Sequence, residues 1–134
     1  MYVRSTMKRL TKAEEEIMQI LWDLDKGFVK DIIRELPDPK PAYNTVSTIV
    51  RILENKGFVS HRAFGNAHEY FPLVKKEDYT KAYVKSIMKD YFSDSFKEMV
   101  SFFTREENMT IEEMEAIRKL LNEEIKKQKG EEDE

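Results

Sequence analysis

Apolar residues recur at helical spacing in three segments of the first half of the chain. The first segment follows Thr11, whose spacing to Glu14 is that of a capping box, in which each side chain accepts a backbone N–H hydrogen bond. Gly27 is the predicted end of this helix, because glycine tolerates the left-handed conformation that closes helices. The three apolar stripes are Ala13, Ile17, Ile20, Leu21 and Leu24; Val29, Ile32, Ile33 and Leu36; and Val46, Ile49, Val50 and Leu53.

After Gly57 the pattern changes from helical to extended. Residues 58–64 and 67–71 are rich in aromatic and β-branched side chains, and Gly65-Asn66 between them is typical of a hairpin turn. Three short helices followed by a two-stranded wing predict a winged helix-turn-helix domain over residues 1–75. The order of the elements is the evidence, since each element is common by itself.

The second half of the chain predicts helices throughout, so the fold class is mainly α with a small β wing. Thr110 and Glu113 form a second candidate capping box. Residues 76–129 are too few to enclose their aromatic and methionine residues alone. These helices either pack back onto the winged helix or pair with a second copy. We favour a homodimer, because residues 75–77 look like a domain boundary and twofold pairing is the commonest assembly.

The predicted organisation is therefore a DNA-binding domain (1–75), a helical dimerisation domain (76–129) and an acidic, disordered tail (130–134). Charge is divided between the halves, although the net charge is only −3. Residues 1–76 carry 13 Lys and Arg against 10 Asp and Glu, and residues 77–134 carry 10 against 16. A mildly basic front and an acidic back favour two roles on one chain.

Composition excludes several classes of protein. The 134 residues include no cysteine, which rules out a disulfide framework, a thiolate zinc site and a cysteine nucleophile. No apolar run is long enough to span a membrane, and residues 1–8 lack the apolar stretch of a signal peptide. We expect a cytoplasmic protein without membrane insertion.

The polar face of the third predicted helix is the candidate for DNA contact. The N-terminal end of a recognition helix enters the major groove, where amide and hydroxyl side chains meet base edges. Lys40 before this helix, Lys56 at its end and Arg62 near the wing can neutralise phosphates. The predicted DNA-binding residues are Lys40, Asn44, Thr45, Ser47, Thr48, Arg51 and Arg62.

Other chemistry finds little support in the sequence. His61 and His68 are predicted to face each other across the hairpin, but a metal site needs more ligands and Glu69 is the one carboxylate near them. We expect these histidines to bind phosphate or form hydrogen bonds. The chain has no phosphate-binding glycine loop and no nucleophile elbow, so neither an enzyme nor a cofactor is predicted.

Three motifs resemble the penicillinase-repressor (BlaI/MecI/CopY) family of transcriptional regulators. They are Leu10-Thr-Lys-Ala-Glu14 with Ile17-Met18 and Leu21-Trp22; Tyr43-Asn-Thr-Val-Ser-Thr-Ile49 with Leu53 and Lys56-Gly57; and Tyr70-Phe71-Pro72. The resemblance covers about residues 8–127. It implies a winged-helix homodimer that represses transcription from a palindromic operator in double-stranded DNA. The targets it implies are antibiotic-resistance genes, because the copper branch carries cysteines that this chain lacks.

The same resemblance implies relief of repression by proteolysis. In the β-lactam branch a membrane-anchored sensor metalloprotease leads to cleavage between Asn and Phe, and the matching bond here is Ser101-Phe102. The family also tends to carry Arg where this chain has Ile52, with Arg51 one position earlier. One residue turns a side chain about 100° around a helix. The alternative to a repressor is a protein-interaction module that has lost DNA binding. The acidic second half of the chain favours this alternative.

Overall fold

The computed structural model describes residues 9–106 and 108–130. Two compact units divide the chain, Met1–Val84 and Lys85–Glu134. Of the predicted acidic tail, only Gly130 is within the described residues. The elements in chain order are α1 (Lys12–Leu24), β1 (Gly27–Phe28), α2 (Val29–Glu35), α3 (Tyr43–Asn55), β2 (Val59–Phe64), β3 (Ala67–Pro72), α4 (Lys76–Phe92), α5 (Phe96–Glu106) and α6 (Ile111–Lys129).

The core of the first unit is built from the three predicted apolar stripes. Each of α1, α2 and α3 turns most of its stripe inward, and the start of the wing covers them from one side. Ala13 and Leu24, at the two ends of the first stripe, are exposed. Buried aliphatic side chains at helical spacing hold each helix at one rotation about its axis. The buried core residues of these elements are Ile17, Met18, Leu21, Val29, Ile32, Leu36, Val46, Val50, Leu53, Phe58, Val59 and Tyr70.

The sheet has one strand more than the predicted hairpin. β2 and β3 pair antiparallel around Gly65-Asn66, and the two-residue β1 adds to the other side of β3, with Gly27 opposite Tyr70. Gly27 is therefore not the end of α1. The helix ends at Leu24, and Asp25 caps it with a φ of 70°. A strand of two residues is too short to show any alternation of apolar and polar positions.

The first turns of α4 belong to the first unit, so this unit extends past the predicted boundary at residue 75 to Val84. Tyr79 is buried there, and its hydroxyl accepts a hydrogen bond from Leu10 N (3.0 Å) and donates one to Glu15 (3.0 Å). Burial raises the pKa of the Tyr79 hydroxyl, so it stays protonated and able to donate at neutral pH. Trp22 adds a hydrogen bond from Nε1 to the carbonyl of Val74 (2.9 Å).

The second unit consists of the end of α4 together with α5 and α6. Thr110 and Glu113 form the predicted capping box at the start of α6, and Gly130 closes that helix in the left-handed conformation. Phe92 and Phe102 pack edge to face with ring centroids 5.8 Å apart. Neither α5 nor α6 has a buried residue. In the described part of the chain, none of the helices is long and apolar enough to cross a membrane.

An ion pair ties the start of α1 to the end of α3. Lys56 Nζ lies 2.8 Å from Glu14 Oε1 and 3.0 Å from Oε2, and Glu14 is itself buried. Burial opposes ionisation of this carboxyl, but the hydrogen bonds from Lys56 and from the backbone of Thr11 outweigh it. The pKa of Glu14 therefore lies below its usual 4.5.

Replacing Glu14 by Gln should lower the free energy of unfolding near pH 7 by about 1 to 3 kcal/mol, because Lys56 loses a charged hydrogen-bond partner. A carboxyl with a depressed folded pKa stabilises above its unfolded value of 4.5 and loses that contribution as pH falls through the folded value. The difference between wild type and E14Q in urea unfolding should therefore shrink below pH 4.5. E16Q is the exposed control on the same helix, and equal effects of both changes would contradict the role of the pair.

Candidate nucleic-acid interface

The outward face of α3 is set by what the helix buries. Val46, Val50 and Leu53 are almost fully buried, so the opposite side of the helix is open to solvent. Of the predicted contact residues, Asn44, Thr45, Thr48 and Arg51 are exposed. The structure thus brings four of the predicted side chains onto the open part of one helix.

Thr48 has its hydroxyl engaged within the helix. Its Oγ1 donates a hydrogen bond of 2.8 Å to the carbonyl of Asn44, one turn earlier. The hydroxyl proton is therefore committed, while the oxygen's lone pairs and the methyl group remain for a ligand. A methyl group at this position suits apolar contact with thymine, and the free amide of Asn44 suits adenine.

Ser47 differs from its prediction as a DNA contact, because it is only 7% exposed. Its hydroxyl accepts a hydrogen bond of 3.2 Å from Arg51, one turn later on the helix. Ser47 therefore faces the interior and orients the guanidinium of Arg51 through this hydrogen bond.

Lys40 and Lys56 are also engaged inside the first unit. Lys40 Nζ donates to the carbonyl of Arg34 (2.9 Å) and to that of Leu36, which satisfies free carbonyls at the end of α2. Lys56 is held by Glu14. These hydrogen bonds tie both lysines to the scaffold, and their contact with phosphates stays a prediction.

The wing carries a further cation. Arg62 is exposed on β2, and its guanidinium lies over the ring of Phe64, 5.9 Å from the centroid. Phe64 packs edge to face on Phe28, with centroids 5.9 Å apart, and is half exposed. At the tip, Gly65 has a φ of 63° and open space around it, so the turn can approach a ligand closely.

The two histidines meet as predicted. His61 and His68 stack with ring centroids 4.0 Å apart and an interplanar angle of 9°. His61 Nδ1 also lies 2.8 Å from Glu54 Oε2, which joins the wing to α3. A search of residues 9–106 and 108–130 finds no group of three or more acidic, histidine or cysteine side chains arranged to hold a metal ion.

Two large side chains on the open side of α3 were missed. Tyr43 is 58% exposed at the first position of the helix, and Ile52 is 40% exposed one position after Arg51. Both lie next to predicted contact residues in the sequence. Ile52 is off the buried stripe by helical spacing, which is the signal that could have found it. Tyr43 is in line with Val46 and Val50, so spacing alone predicts burial for it.

Comparison with known proteins agrees with this geometry. The family model described as penicillinase repressor matches residues 10–123. The chain belongs to the penicillinase repressor family. It is 26% identical over 114 residues to the methicillin resistance regulatory protein MecI of Staphylococcus aureus (strain N315), covering 84% of this chain and 93% of that protein. It is 23% identical over 116 residues to the penicillinase repressor of Bacillus licheniformis, covering 86% and 91%.

Among solved structures, the complex of hsRosR-S4 matches with a TM-score of 0.51 at 19% identity, covering 78% of this chain and 95% of that one. This likeness concerns the fold alone. The predicted membership of the penicillinase repressor family is confirmed, and so is the winged-helix fold, by the order of α1, α2, α3 and the wing.

The two classes of cation on this member of the penicillinase repressor family predict different salt effects. Each phosphate contact adds about 0.9 to the slope of log affinity against log salt concentration. Arg62→Gln should therefore lower that slope by about 0.9 on a single half-site, whereas Lys40→Gln should leave it unchanged and lower the melting temperature. Fluorescence anisotropy over a range of salt concentrations and thermal unfolding measure the two effects. A slope that falls with K40Q and not with R62Q would reverse the assignment.

Proposed function

We propose that this chain is a transcriptional repressor that binds a palindromic operator in double-stranded DNA as a homodimer. In this proposal α3 reads base edges in the major groove, and the wing of β2 and β3 contacts the backbone. The observation that carries it is the open face of α3, on which Asn44, Thr45, Thr48 and Arg51 are exposed while the opposite face is buried.

The chemistry of that face supports DNA over a protein partner. The first turn of α3 carries no acidic side chain, so nothing there repels phosphate. Amide, hydroxyl and guanidinium groups are the side chains that pair with base edges, and each good bidentate pair discriminates against the wrong base by about 1–3 kcal/mol. The names of the relatives, a penicillinase repressor and a methicillin resistance regulator, support repression as the outcome of binding.

The exposed apolar surface of the second unit, considered by itself, supports pairing of two copies. Its helices expose large apolar side chains to solvent over much of their length. Apolar surface exposed to that extent is typical of a protein–protein interface. A second copy would cover them with the same residues. The exposed set is Tyr91, Phe96, Val100, Phe102, Phe103, Ile111, Met114, Leu120, Leu121 and Ile125.

A dimer also accounts for the modest charge of the first half. Residues 1–76 of one copy carry 13 Lys and Arg against 10 Asp and Glu, a surplus of only three positive charges. Two linked copies convert the second binding event into an intramolecular one, which multiplies affinity without new contacts. Twofold symmetry then requires a palindromic operator.

Relief of repression is proposed to follow cleavage of the Ser101-Phe102 bond by a membrane-anchored sensor metalloprotease, in the cytoplasm, at antibiotic-resistance genes. This bond lies inside α5, where the carbonyl of Ser101 accepts a hydrogen bond of 2.9 Å from Thr104 Oγ1. A protease needs an extended segment, so cleavage requires local opening of α5. In a single copy α5 has no buried residue, so the free energy of opening this helix is low there.

Combined replacement of Thr45, Thr48 and Arg51 by Ala should remove sequence-specific DNA binding, with a loss of at least a hundredfold in affinity for a selected operator. The reason is the loss of every base-edge pair that these side chains can make. The operator would be selected from a randomised duplex pool, and affinity measured by anisotropy against mixed-sequence DNA.

Thr80→Ala is the matched control, since Thr80 is an exposed helical threonine whose hydroxyl also donates to the carbonyl one turn earlier. Sedimentation confirms that the triple variant remains folded and paired. Unchanged operator affinity of the triple variant would reject α3 as the reading helix. No DNA binding by the wild type at low salt would favour the interaction module instead.

A chain that ends at Ser101 should be monomeric at concentrations where the full chain is a dimer. It lacks α6 and the apolar end of α5, which carry most of the exposed apolar surface of the second unit. Sedimentation equilibrium measures the dissociation constant, and a chain that ends at Gly130 is the control that keeps both helices. A tight dimer of the shorter chain would contradict dimerisation through α5 and α6.

A further inference from the structure

The histidine pair of the wing lies against the end of α3. Register places His61 opposite Tyr70 and His68 opposite Ala63 on the neighbouring strand, so the two rings stack diagonally across the hairpin. Glu54, in the last turn of α3, accepts the hydrogen bond of His61 Nδ1 at 2.8 Å. The side chains of His61 and Glu54 are each 30% exposed, so a ligand can reach them.

The hydrogen bond to Glu54 fixes the chemistry of the His61 ring. An ionised carboxylate can only accept, so Nδ1 carries the proton, and a neutral ring then has no proton on Nε2. A phosphodiester oxygen also only accepts. His61 can therefore donate to a phosphate from Nε2 only when the ring carries a second proton.

The charged groups around His61 come from two elements. From α3, Glu54 bonds the His61 ring, and the charge of Arg51 acts on the neighbouring Tyr70. From β3, His68 and Tyr70 face His61, while Glu69 lies opposite Arg62 in the register. Burial raises the pKa of the Tyr70 hydroxyl, and the nearby Glu54 carboxylate raises it further, so Tyr70 stays neutral. Two stacked imidazolium rings would repel each other, so the pair holds one added proton.

We propose that His61, oriented by Glu54 and stacked on His68, is a phosphate-binding residue that takes up one proton per protomer when the DNA backbone binds. This inference rests on the proposed function. Without that proton, Glu54 presents a negative charge beside the wing and repels the backbone. With that proton, His61 and Glu54 together are neutral, and His61 gains a charge-assisted hydrogen bond to phosphate. Operator affinity should then rise as pH falls.

The test is operator affinity of the full chain between pH 8 and pH 6 at constant ionic strength. Binding coupled to one proton makes affinity rise by up to about tenfold per pH unit for each half-site. Calorimetry of the wild type in two buffers with different ionisation enthalpies counts the protons directly, without any variant. His61→Gln should remove the pH dependence, whereas His68→Gln should keep it.

A flat pH profile, or no proton uptake by calorimetry, together with specific binding at pH 8 would overturn this inference and leave the proposed function intact. A profile that persists in H61Q and disappears in H68Q would overturn the assignment to His61. Failure of the wild type to bind any selected operator at every pH would instead overturn the proposed function, and the inference with it. Circular dichroism of both variants verifies that they fold.

Discussion

Burial of one face of α3 is the constraint on which the rest of the structure depends. Val46, Val50 and Leu53 pack against α1, α2 and the wing, and this packing fixes the rotation of the helix. Rotation decides which side chains are open, since residues 100° apart around a helix meet different surroundings. The same packing leaves Asn44, Thr45, Thr48 and Arg51 open and turns Ser47 inward, where it orients Arg51.

Polar contacts at the edges of this core fix the positions of the helices. Lys56 is tied to Glu14, and Lys40 closes the end of α2. Tyr79 joins the start of α4 to the segment before α1. Because these contacts position helices, they act on DNA binding through the scaffold.

The two units differ in where their apolar side chains lie. In the first unit, apolar side chains are buried and polar side chains of α3 face outward. In the second unit the reverse holds for α5 and α6, whose apolar side chains lie open. A surface of that kind is stable in water only when another surface covers it. The DNA recognition and the pairing that we propose therefore lie in different units, and the proposed cut within α5 would act on pairing.

Elements that depend on local pattern could be predicted from the amino-acid sequence. Helical spacing predicted α1, α2 and α3, and both capping boxes formed because Thr and Glu three positions apart suffice for them. Long-range packing was needed to reveal the two-residue strand β1 and the end of the first unit at Val84. It also set the partners of Lys40, Lys56, Ser47 and His61. Glu14 and Lys56 are 42 positions apart, and Trp22 and Val74 are 52 apart. A local sequence pattern cannot predict such partners, because burial and charge pairing depend on which distant segments the fold brings into contact.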